Sequence, residues 1–191
     1  MPYNPNIHRR RSIRLKGYDY SQAGLYFVTI CVQNKECLLG KIVDGEMILN
    51  NMGEMVMQCW VIIPQHFPNA VLHEYVIMLN HIHGIIQLTP DEYSSNGDDV
   101  GANNYLPHNY LPNNVIRAKS VSPLPVPCGT SRTIGSIVRG FKIGATKQLG
   151  YSIWQRNYHE HIIRNGNSHQ RIANYIINNP ATWNNDKFFT E

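Results

Sequence analysis

The sequence predicts a single α+β domain whose elements follow the order βαββαβ, with one more helix at the end. Three observations predict it. A β-branched and aromatic run occupies residues 24–33, two adjoining apolar runs fill residues 71–88, and apolar residues recur at helical spacing in residues 51–63 and 131–149. The 191 residues, 42% hydrophobic and 16% charged, have the size and composition of one globular unit. We therefore treat residues 1–191 as one domain.

The first strand and a following hairpin are predicted from residue type and turn chemistry. Gly24 to Gln33 (GLYFVTICVQ) is rich in β-branched and aromatic residues, which favours a buried strand. Leu38 to Val43 and Glu46 to Asn50 flank Asp44-Gly45, a pair that tolerates positive φ. This pattern predicts an extra hairpin in the N-terminal part of the domain.

A helix and a second pair of strands come next. Asn51 can cap a helix that runs to about Ile63 with apolar residues at i, i+3 and i+4, and Pro64 is expected to end that helix. Val71 to Met78 and His81 to Leu88 are apolar runs separated by two residues. They predict two adjacent strands joined by a tight turn.

A basic, amphipathic helix is predicted to begin at Ser131 and to end at Gly150. Its cations lie mostly off the apolar stripe, as expected for a helix with one buried face. Ser152 to Ile163 is then predicted to be the last strand. The apolar stripe consists of Ile134, Ile137, Val138, Phe141, Ala145 and Leu149.

The last helix is predicted at about His169 to Asn178, with Asn167 or Ser168 as its N-cap and Pro180 beyond its end. The order of elements is then that of the split-βαβ, ferredoxin-like motif, an antiparallel sheet with both crossover helices on one face. The opposite face of the sheet is expected to stay free for a site.

Residues 90–130, from Pro90 to Thr130, are predicted to be a flexible insertion. The segment is rich in Pro, Asn, Ser and Gly, and it contains two similar pentapeptides, Tyr105 to Asn109 (YLPHN) and Tyr110 to Asn114 (YLPNN). Such a composition buries too little apolar area to offset the entropy of ordering it.

Several classes of protein are disfavoured by composition. No run approaches the roughly 18 apolar residues of a membrane helix, so no membrane partner is expected. The basic N-terminal arm, residues 1–17, is not followed by an apolar segment, which argues against a secretory signal and predicts a cytoplasmic protein. The four cysteines contain no CxxC pair, so neither a zinc ribbon nor a disulfide framework is supported.

Positive charge is concentrated in two parts of the chain. The N-terminal arm carries Arg9, Arg10, Arg11 and Arg14, and the stretch between Val100 and His159 contains no Asp or Glu. Two cationic regions of this kind are typical of a protein that binds a polyanion such as nucleic acid. The alternative is an ordinary solvated surface.

The tripeptide His81-Ile82-His83 is the first candidate site. Because side chains alternate along a strand, both imidazoles are expected on one face and Ile82 in the core beneath the helices. Two imidazoles about 7 Å apart at their Cα atoms can converge on one metal ion. The alternative is that the two histidines only end a hairpin.

The second candidate lies on the last helix, in Tyr175-Ile176-Ile177-Asn178-Asn179. Tyr175 and Asn179 are four residues apart, so a helix that presents the phenol to a site also presents the amide. Ile172 and Ile176 are expected to pack against the sheet. The alternative is that Tyr175 is an interfacial aromatic and Asn179 a helix C-cap.

Taken together, these motifs resemble those of the single-tyrosine HUH transposases, and especially of the REP-associated tyrosine transposases. The matching blocks occur in that family's order and span most of the chain apart from the insertion. Leu79 stands where the family often has a proline, whose loss makes the turn before His81 less rigid. The blocks are Arg10 to Leu15, Tyr18 to Tyr20, Tyr26 to Ile30, Val76 to Gly84, Ile137 to Lys142, Trp154 to Tyr158 and Tyr175 to Pro180.

The resemblance implies an enzyme that cleaves and rejoins single-stranded DNA at hairpin elements through a 5′-phosphotyrosine. It implies that Tyr175 is the nucleophile and that His81, His83 and Asn179 bind a divalent metal. A phenol with a pKa near 10 is a poor nucleophile at pH 7, so a cation that polarises the phosphate would assist it. An incomplete shell of nitrogen and oxygen ligands suits Mg²⁺ or Mn²⁺. Tyr158 is the rival nucleophile.

Single-stranded or hairpin DNA is the expected partner, bound by cations and stacking aromatics. Two alternatives stay open: a catalytically inactive protein that binds hairpin DNA, and a small metal-dependent hydrolase in which the histidines activate water. A monomer and a dimer that exchanges its last helix are both compatible with the sequence. The candidate DNA-binding residues are Arg9, Arg10, Arg11, Arg14, Arg139, Lys142, Lys147, Trp154 and Arg156.

Overall fold

The computed structural model describes residues 17–90 and 132–189, which form six strands and four helices. The predicted basic arm, apart from Gly17, and the predicted insertion, apart from Pro90, lie outside these residues. Each helix in the described part of the chain is too short or too polar to cross a membrane. The elements are β1 (Gly24–Cys31), β2 (Gly40–Val43), β3 (Glu46–Leu49), α1 (Asn51–Val61), α2 (Ile63–His66), β4 (Ala70–Ile77), β5 (His81–Leu88), α3 (Ile134–Leu149), β6 (His159–Ile163) and α4 (Gly166–Asn178).

The main sheet has the strand order β4-β5-β1-β6, and every neighbouring pair is antiparallel. The helix α1 connects β1 to β4, and α3 connects β5 to β6. This is the predicted ferredoxin-like arrangement. The strands β2 and β3 form a separate hairpin, and positive φ angles at Asp44 (52°) and Gly45 (79°) make its turn, as predicted from that dipeptide.

One face of the sheet packs on α1 and α3 and forms the main core. Alternation along β1 and β5 directs Tyr26, Val28, Ile30, Ile82 and Ile86 to this face, where each side chain is fully buried. Aromatic rings from the two helices complete the core, with the Trp60 and Phe141 ring centroids 5.4 Å apart. The prediction that Ile82 lies beneath the helices is confirmed.

The other face of the sheet, which was expected to stay free for a site, is covered by α4, and the expected packing of Ile172 and Ile176 on the sheet is confirmed. Ile172 and Ile176 of α4 pack against Ile85 and Phe27 on this face. The segment 183–188, which follows α4, covers the end of the sheet near Cys31 and Met78. The amphipathic last helix has an apolar stripe that must be buried, and the uncovered sheet face is the apolar surface available to it.

The predicted boundaries of α1 need two corrections. Its N-cap is Asn50 and not Asn51: the Asn50 side chain accepts a hydrogen bond from the Gly53 amide at 2.9 Å and donates one to the Leu38 carbonyl at 2.9 Å. Pro64 does not directly terminate α1, which ends at Val61. It lies instead in the first turn of the short α2, where a missing amide hydrogen costs nothing.

The predicted strand from Ser152 to Ile163 is shorter than expected. Only His159–Ile163 joins the ladder, while Trp154 makes an isolated bridge with Val32. The Lys142 ammonium group donates hydrogen bonds to the carbonyls of Gln155 and Asn157, each at 2.8 Å. These bonds satisfy two backbone carbonyls that a continuous strand would have paired with its neighbour.

The last helix begins earlier than predicted. Its N-cap is Asn165, whose side chain accepts a hydrogen bond from the Ser168 amide at 2.8 Å, and neither Asn167 nor Ser168 has that role. The same side-chain chemistry was available at three nearby positions, so the sequence specified the type of cap but not its place.

Gly84, directly after His83, allows the Trp60 ring to lie against β5. A Cβ atom at this position would overlap the Trp60 ring and approach the Tyr75 Cβ to 3.2 Å. We expect Gly84→Ala to destabilise the fold by about 1–3 kcal/mol, because the buried ring has nowhere to move. Thermal unfolding followed by circular dichroism measures this change.

The matched control is Gly166→Ala at the start of α4, where an added Cβ meets no atom of the described residues within 4 Å. This variant is expected to unfold at the wild-type temperature or slightly above it, because alanine favours a helix over glycine. Equal unfolding temperatures for Gly84→Ala and the wild type would contradict the packing argument.

Candidate active site

His81 and His83 lie side by side on the face of β5 that α4 covers. Both side chains are fully buried, and their ring centroids are 4.3 Å apart. His83 pairs in register with Thr29 of β1, and its Nδ1 is 2.8 Å from the Thr29 hydroxyl oxygen. The two imidazoles therefore share one buried space, as their spacing along a strand predicts.

The helix α4 brings Tyr175 to this space. Its hydroxyl oxygen is 3.1 Å from Nε2 of His83, and the two ring centroids are 5.2 Å apart. The Phe27 ring stands edge-on to Tyr175 at 6.3 Å. Tyr175 is still 39% exposed, so its hydroxyl lies at the border between the buried histidines and solvent. Within a single chain, the phenol already reaches the histidine pair.

Asp186 completes the group, and sequence reasoning missed it. Its Oδ2 accepts hydrogen bonds from the Tyr175 hydroxyl at 2.8 Å and from the side-chain amide of Asn179 at 2.7 Å, and its Oδ1 accepts one from the backbone amide of Phe188 at 2.7 Å. One sequence signal was available: Asp186 is the only acidic residue between Glu160 and Glu191. We call His81, His83, Tyr175, Asn179 and Asp186 the histidine–tyrosine cluster.

The cluster has the donor set of a metal site. One ligand atom from each of His81, His83 and Asp186 lies within 4.8 Å of the other two. His81 Nε2 and Asn179 Oδ1 are buried without a hydrogen-bond partner among the described residues. Buried polar atoms normally have a partner, and both atoms carry lone pairs, so they fit a divalent cation.

The orientation of His81 is fixed by Asn80, on the side of the ring that faces away from the cluster. The side-chain amide of Asn80 donates to the carbonyls of Lys35 and Phe188, at 3.0 and 2.9 Å, which leaves its Oδ1 as an acceptor. His81 Nδ1 therefore donates to Asn80 Oδ1, at 2.9 Å, and the lone pair of His81 Nε2 points into the cluster. A hydrogen bond of this kind commonly orients a metal-binding histidine.

The turn before His81 is held by backbone contacts, although Leu79 replaces the proline common in the resembling family. The Met78 amide donates to the His81 carbonyl at 2.8 Å, and the Leu39 amide donates to the Leu79 carbonyl at 3.0 Å. Leu39, directly before β2, thus supports the turn from outside.

Burial keeps both histidines neutral. It lowers the pKa of His81 to about 4; Asp186 opposes this shift, while the ammonium groups of Lys187 and Lys35 add to it. Burial, and then the neighbouring His81, also holds the pKa of His83 well below its ordinary value. Neutral imidazole is the form that binds a metal ion, so burial keeps both rings in the charge state that a ligand needs near pH 7.

The phenol is held in its protonated form. Burial, followed by the hydrogen bond to Asp186 and the charge of that carboxylate, raises the pKa of Tyr175 above its usual value of 10.0. Burial would raise the pKa of Asp186, but hydrogen bonds from Phe188, Asn179 and Tyr175 outweigh it and lower that pKa. Tyr175 therefore needs assistance to become a nucleophile.

Some of the predicted DNA-binding residues meet in one open cavity of about 320 Å³. Its lining includes Lys142, Lys147, Trp154 and Arg156. The Gln155 amide, next to them, donates to the carbonyl of Cys31, which pairs in register with His81. The cavity therefore lies at the end of the sheet where the histidine–tyrosine cluster is found. Arg139 is exposed elsewhere on α3, and the four arginines of the arm are outside the described residues.

Two of these residues have structural roles in the fold. Trp154 is only 7% exposed and packs on Phe141 with ring centroids 5.4 Å apart, so a nucleobase has little access to its faces. Lys142 donates hydrogen bonds to the carbonyls of Gln155 and Asn157, and burial lowers its pKa to about 8. Lys147 and Arg156 remain as exposed cations on this surface.

Tyr158, the rival nucleophile in the sequence, is partly buried against the main core under α1 and α3. The histidines point to the opposite face of the sheet. The structure therefore brings Tyr175, and not Tyr158, to the imidazole pair.

The fold and the site define a class of protein: a ferredoxin-like domain with a histidine pair on one sheet face and a tyrosine helix packed across it. A REP-associated tyrosine transposase, whose structure is bound to a REP hairpin, has the same fold. The TM-score is 0.56 and the sequence identity 17%, and the match covers 90% of this chain and 74% of the transposase.

A relative of Haemophilus influenzae, itself described as uncharacterized, is 45% identical over 194 residues. The match covers 99% of this chain and 98% of the relative, so the two proteins belong to one family. No family model matches the chain.

Proposed function

We propose that this protein is a metal-dependent transposase or endonuclease that cleaves and rejoins single-stranded DNA at hairpin elements, with Tyr175 as its nucleophile. The observation that carries the proposal is the 3.1 Å separation between the Tyr175 hydroxyl and His83 Nε2, inside a cluster that also holds two ligand atoms without a hydrogen-bond partner among the described residues. The motifs of the HUH transposases and the fold of the REP-associated transposase support the same assignment.

His81, His83, Asp186 and Asn179 would hold the metal ion, either Mg²⁺ or Mn²⁺. Bound there, the cation would polarise the scissile phosphate and neutralise the charge that develops on it. The residues fit this task because they offer nitrogen and oxygen atoms only, and because two of those atoms are buried without another partner in the described part of the chain.

Tyr175 has a proton acceptor within reach. Its hydroxyl already donates to Asp186 Oδ2 at 2.8 Å, which is the geometry required of a general base. In the proposed step, the phenol oxygen bonds to phosphorus and the phenol proton passes to Asp186, while the bond from phosphorus to the 3′-oxygen breaks and that oxygen takes a proton from water. The product is a 5′-phosphotyrosine and a free 3′-hydroxyl. Attack by that hydroxyl in the reverse direction rejoins the strand.

The DNA would reach the cluster across the basic cavity beside the end of β1. Lys147 and Arg156 are exposed there. Unlike Lys142 and Trp154, they have no structural role described above, so they can bind phosphates. The hairpin bound in the REP-associated transposase structure makes a DNA hairpin the first substrate to test. Arg139 and the arm residues Arg9, Arg10, Arg11 and Arg14 remain proposed contacts.

The test is incubation of the purified protein with single-stranded oligonucleotides that carry a hairpin, in the presence of Mn²⁺. We expect a covalent protein–DNA adduct that resists denaturant, and mass spectrometry should place the nucleotide on the peptide that contains Tyr175. Removal of the metal with a chelator should prevent formation of the adduct, because the phenol is held protonated and needs the assistance of the cation.

The outcomes separate the competing functions. Hairpin affinity that falls steeply with added salt, with no cleavage at any metal concentration, indicates an inactive hairpin-binding protein. Cleavage without an adduct indicates a hydrolase in which the histidines activate water. An adduct on Tyr158 would overturn the assignment of the nucleophile.

A further inference from the structure

A second group of ligand-type side chains lies between β4 and the start of α4. Its origin is a β-bulge: Leu72 pairs with Ile86 and Tyr75 with Gly84, so β4 contains one residue more than β5 in this interval. Leu72 and Tyr75 both face the main core. His73 and Glu74, the two residues between them, are thereby both directed to the face that α4 covers. A bulge commonly redirects side chains in this way.

His169 of α4 meets these two residues. One ligand atom from each of His73, Glu74 and His169 lies within 4.8 Å of the other two. His169 Nε2 and Glu74 Oε2 are 3.6 Å apart, too far for a hydrogen bond, and both are buried without a hydrogen-bond partner among residues 17–90 and 132–189. Two ligands of one tetrahedral zinc ion, with bonds of 2.0–2.1 Å, stand about 3.4 Å apart.

His73 is oriented by a hydrogen bond to Gln87, as metal-binding histidines commonly are. Its Nε2 lies 2.8 Å from Oε1 of Gln87, an atom that can only accept, so Nε2 carries the hydrogen and Nδ1 keeps its lone pair. The His73 and His169 rings stand edge-to-face, with centroids 5.8 Å apart. The side chains of His169 and Glu74 are 27% and 35% exposed, which gives an ion access from solvent.

We propose that His73, Glu74 and His169 form a Zn²⁺ site that fastens α4 to the sheet. Two imidazoles and one carboxylate are a known three-residue zinc set, with water free to take the fourth position. The site is separate from the histidine–tyrosine cluster, and the proposal does not rest on the proposed function. His169 precedes Tyr175 by six residues, about 9 Å along the helix, so the ion would also fix the helix that positions the phenol.

The test measures zinc stoichiometry and affinity on the full chain, first freed of metal by a chelator. Titration with ZnCl₂ is followed by calorimetry. Because the histidine–tyrosine cluster can also take zinc, the readout is the difference between variants. We expect His73→Ala and His169→Ala each to bind one equivalent fewer than the wild type.

Three further variants separate loss of the site from loss of folding. Glu74→Gln keeps the shape of the side chain and should also lose one equivalent, with an unchanged circular dichroism spectrum. Gln87→Leu removes only the group that orients His73 and should weaken zinc binding at this site about 10- to 100-fold. His161→Ala, at an exposed position on β6, should bind as much zinc as the wild type.

Thermal unfolding gives a second readout. Zinc should raise the unfolding temperature of the wild type and of Tyr175→Phe. In Glu74→Gln the rise should be smaller, because the contribution of this site is lost. The proposal is overturned if folded Glu74→Gln and His169→Ala both retain the wild-type number of zinc equivalents, or if His161→Ala loses one as well.

Discussion

Replacing Tyr175 with phenylalanine is expected to abolish the covalent adduct and to lower the rate of strand cleavage by at least about 10⁴-fold. The substitution removes only the hydroxyl that lies between His83 and Asp186. The ring keeps its contacts with Phe27 and His83, so the helix should stay docked. Single-turnover cleavage of a hairpin-bearing oligonucleotide measures the loss, and gel retardation should show hairpin affinity close to that of the wild type.

Tyr158→Phe is the matched control, because it removes the same atom from the rival tyrosine on the other side of the sheet. This variant should form the adduct in proportion to its folded fraction. The reverse pattern, with Tyr158→Phe inactive and Tyr175→Phe active, would transfer the role of nucleophile to Tyr158. Cleavage that survives in both variants would favour water activated by the histidines.

Asp186→Asn is expected to lower the cleavage rate on the order of 100-fold and to weaken Mn²⁺ binding. The carboxylate accepts three hydrogen bonds, from Tyr175, Asn179 and the Phe188 amide. Asparagine has one acceptor oxygen and cannot serve all three. Each hydrogen bond to a charged group contributes about 1.5–3 kcal/mol, and 1.4 kcal/mol corresponds to a factor of ten.

Asp44→Asn provides the control for this charge change. Asp44 is exposed at the tip of the hairpin β2–β3, and asparagine tolerates its positive φ of 52°. The control variant should cleave DNA at the wild-type rate. Unchanged cleavage and unchanged manganese affinity in Asp186→Asn would exclude Asp186 from both proposed roles, the metal ligand and the proton acceptor.

Most of the fold followed from local patterns. The apolar runs, the turn at Asp44-Gly45 and the helical stripes predicted all six strands and the three long helices in their correct order. The errors lie at the ends of elements: the N-caps at Asn50 and Asn165, and the start of β6 at His159. At such places several neighbouring residues can make the same cap or pairing. Local propensity cannot choose among such equivalents, and tertiary contacts decide them.

The candidate site was predictable in part. A strand periodicity of two places His81 and His83 on one face, and a helical spacing of four aligns Tyr175 with Asn179. Asp186 could not be assigned, because it follows the helix in a segment without a periodic pattern. The sequence also left Trp154 open between packing and stacking, since an aromatic residue beside cations is compatible with both, and the structure buries it.

The amino-acid sequence by itself determined the elements and the pairs of side chains within each of them, because strand and helix periodicities are local properties of the backbone. Only the tertiary structure decided which elements meet: α4 lies across the sheet face that the sequence left open, Asp186 reaches the phenol, and a bulge turns His73 and Glu74 toward His169. Such contacts join residues far apart in the chain, and they are selected by how apolar surfaces are buried together and not by any local preference.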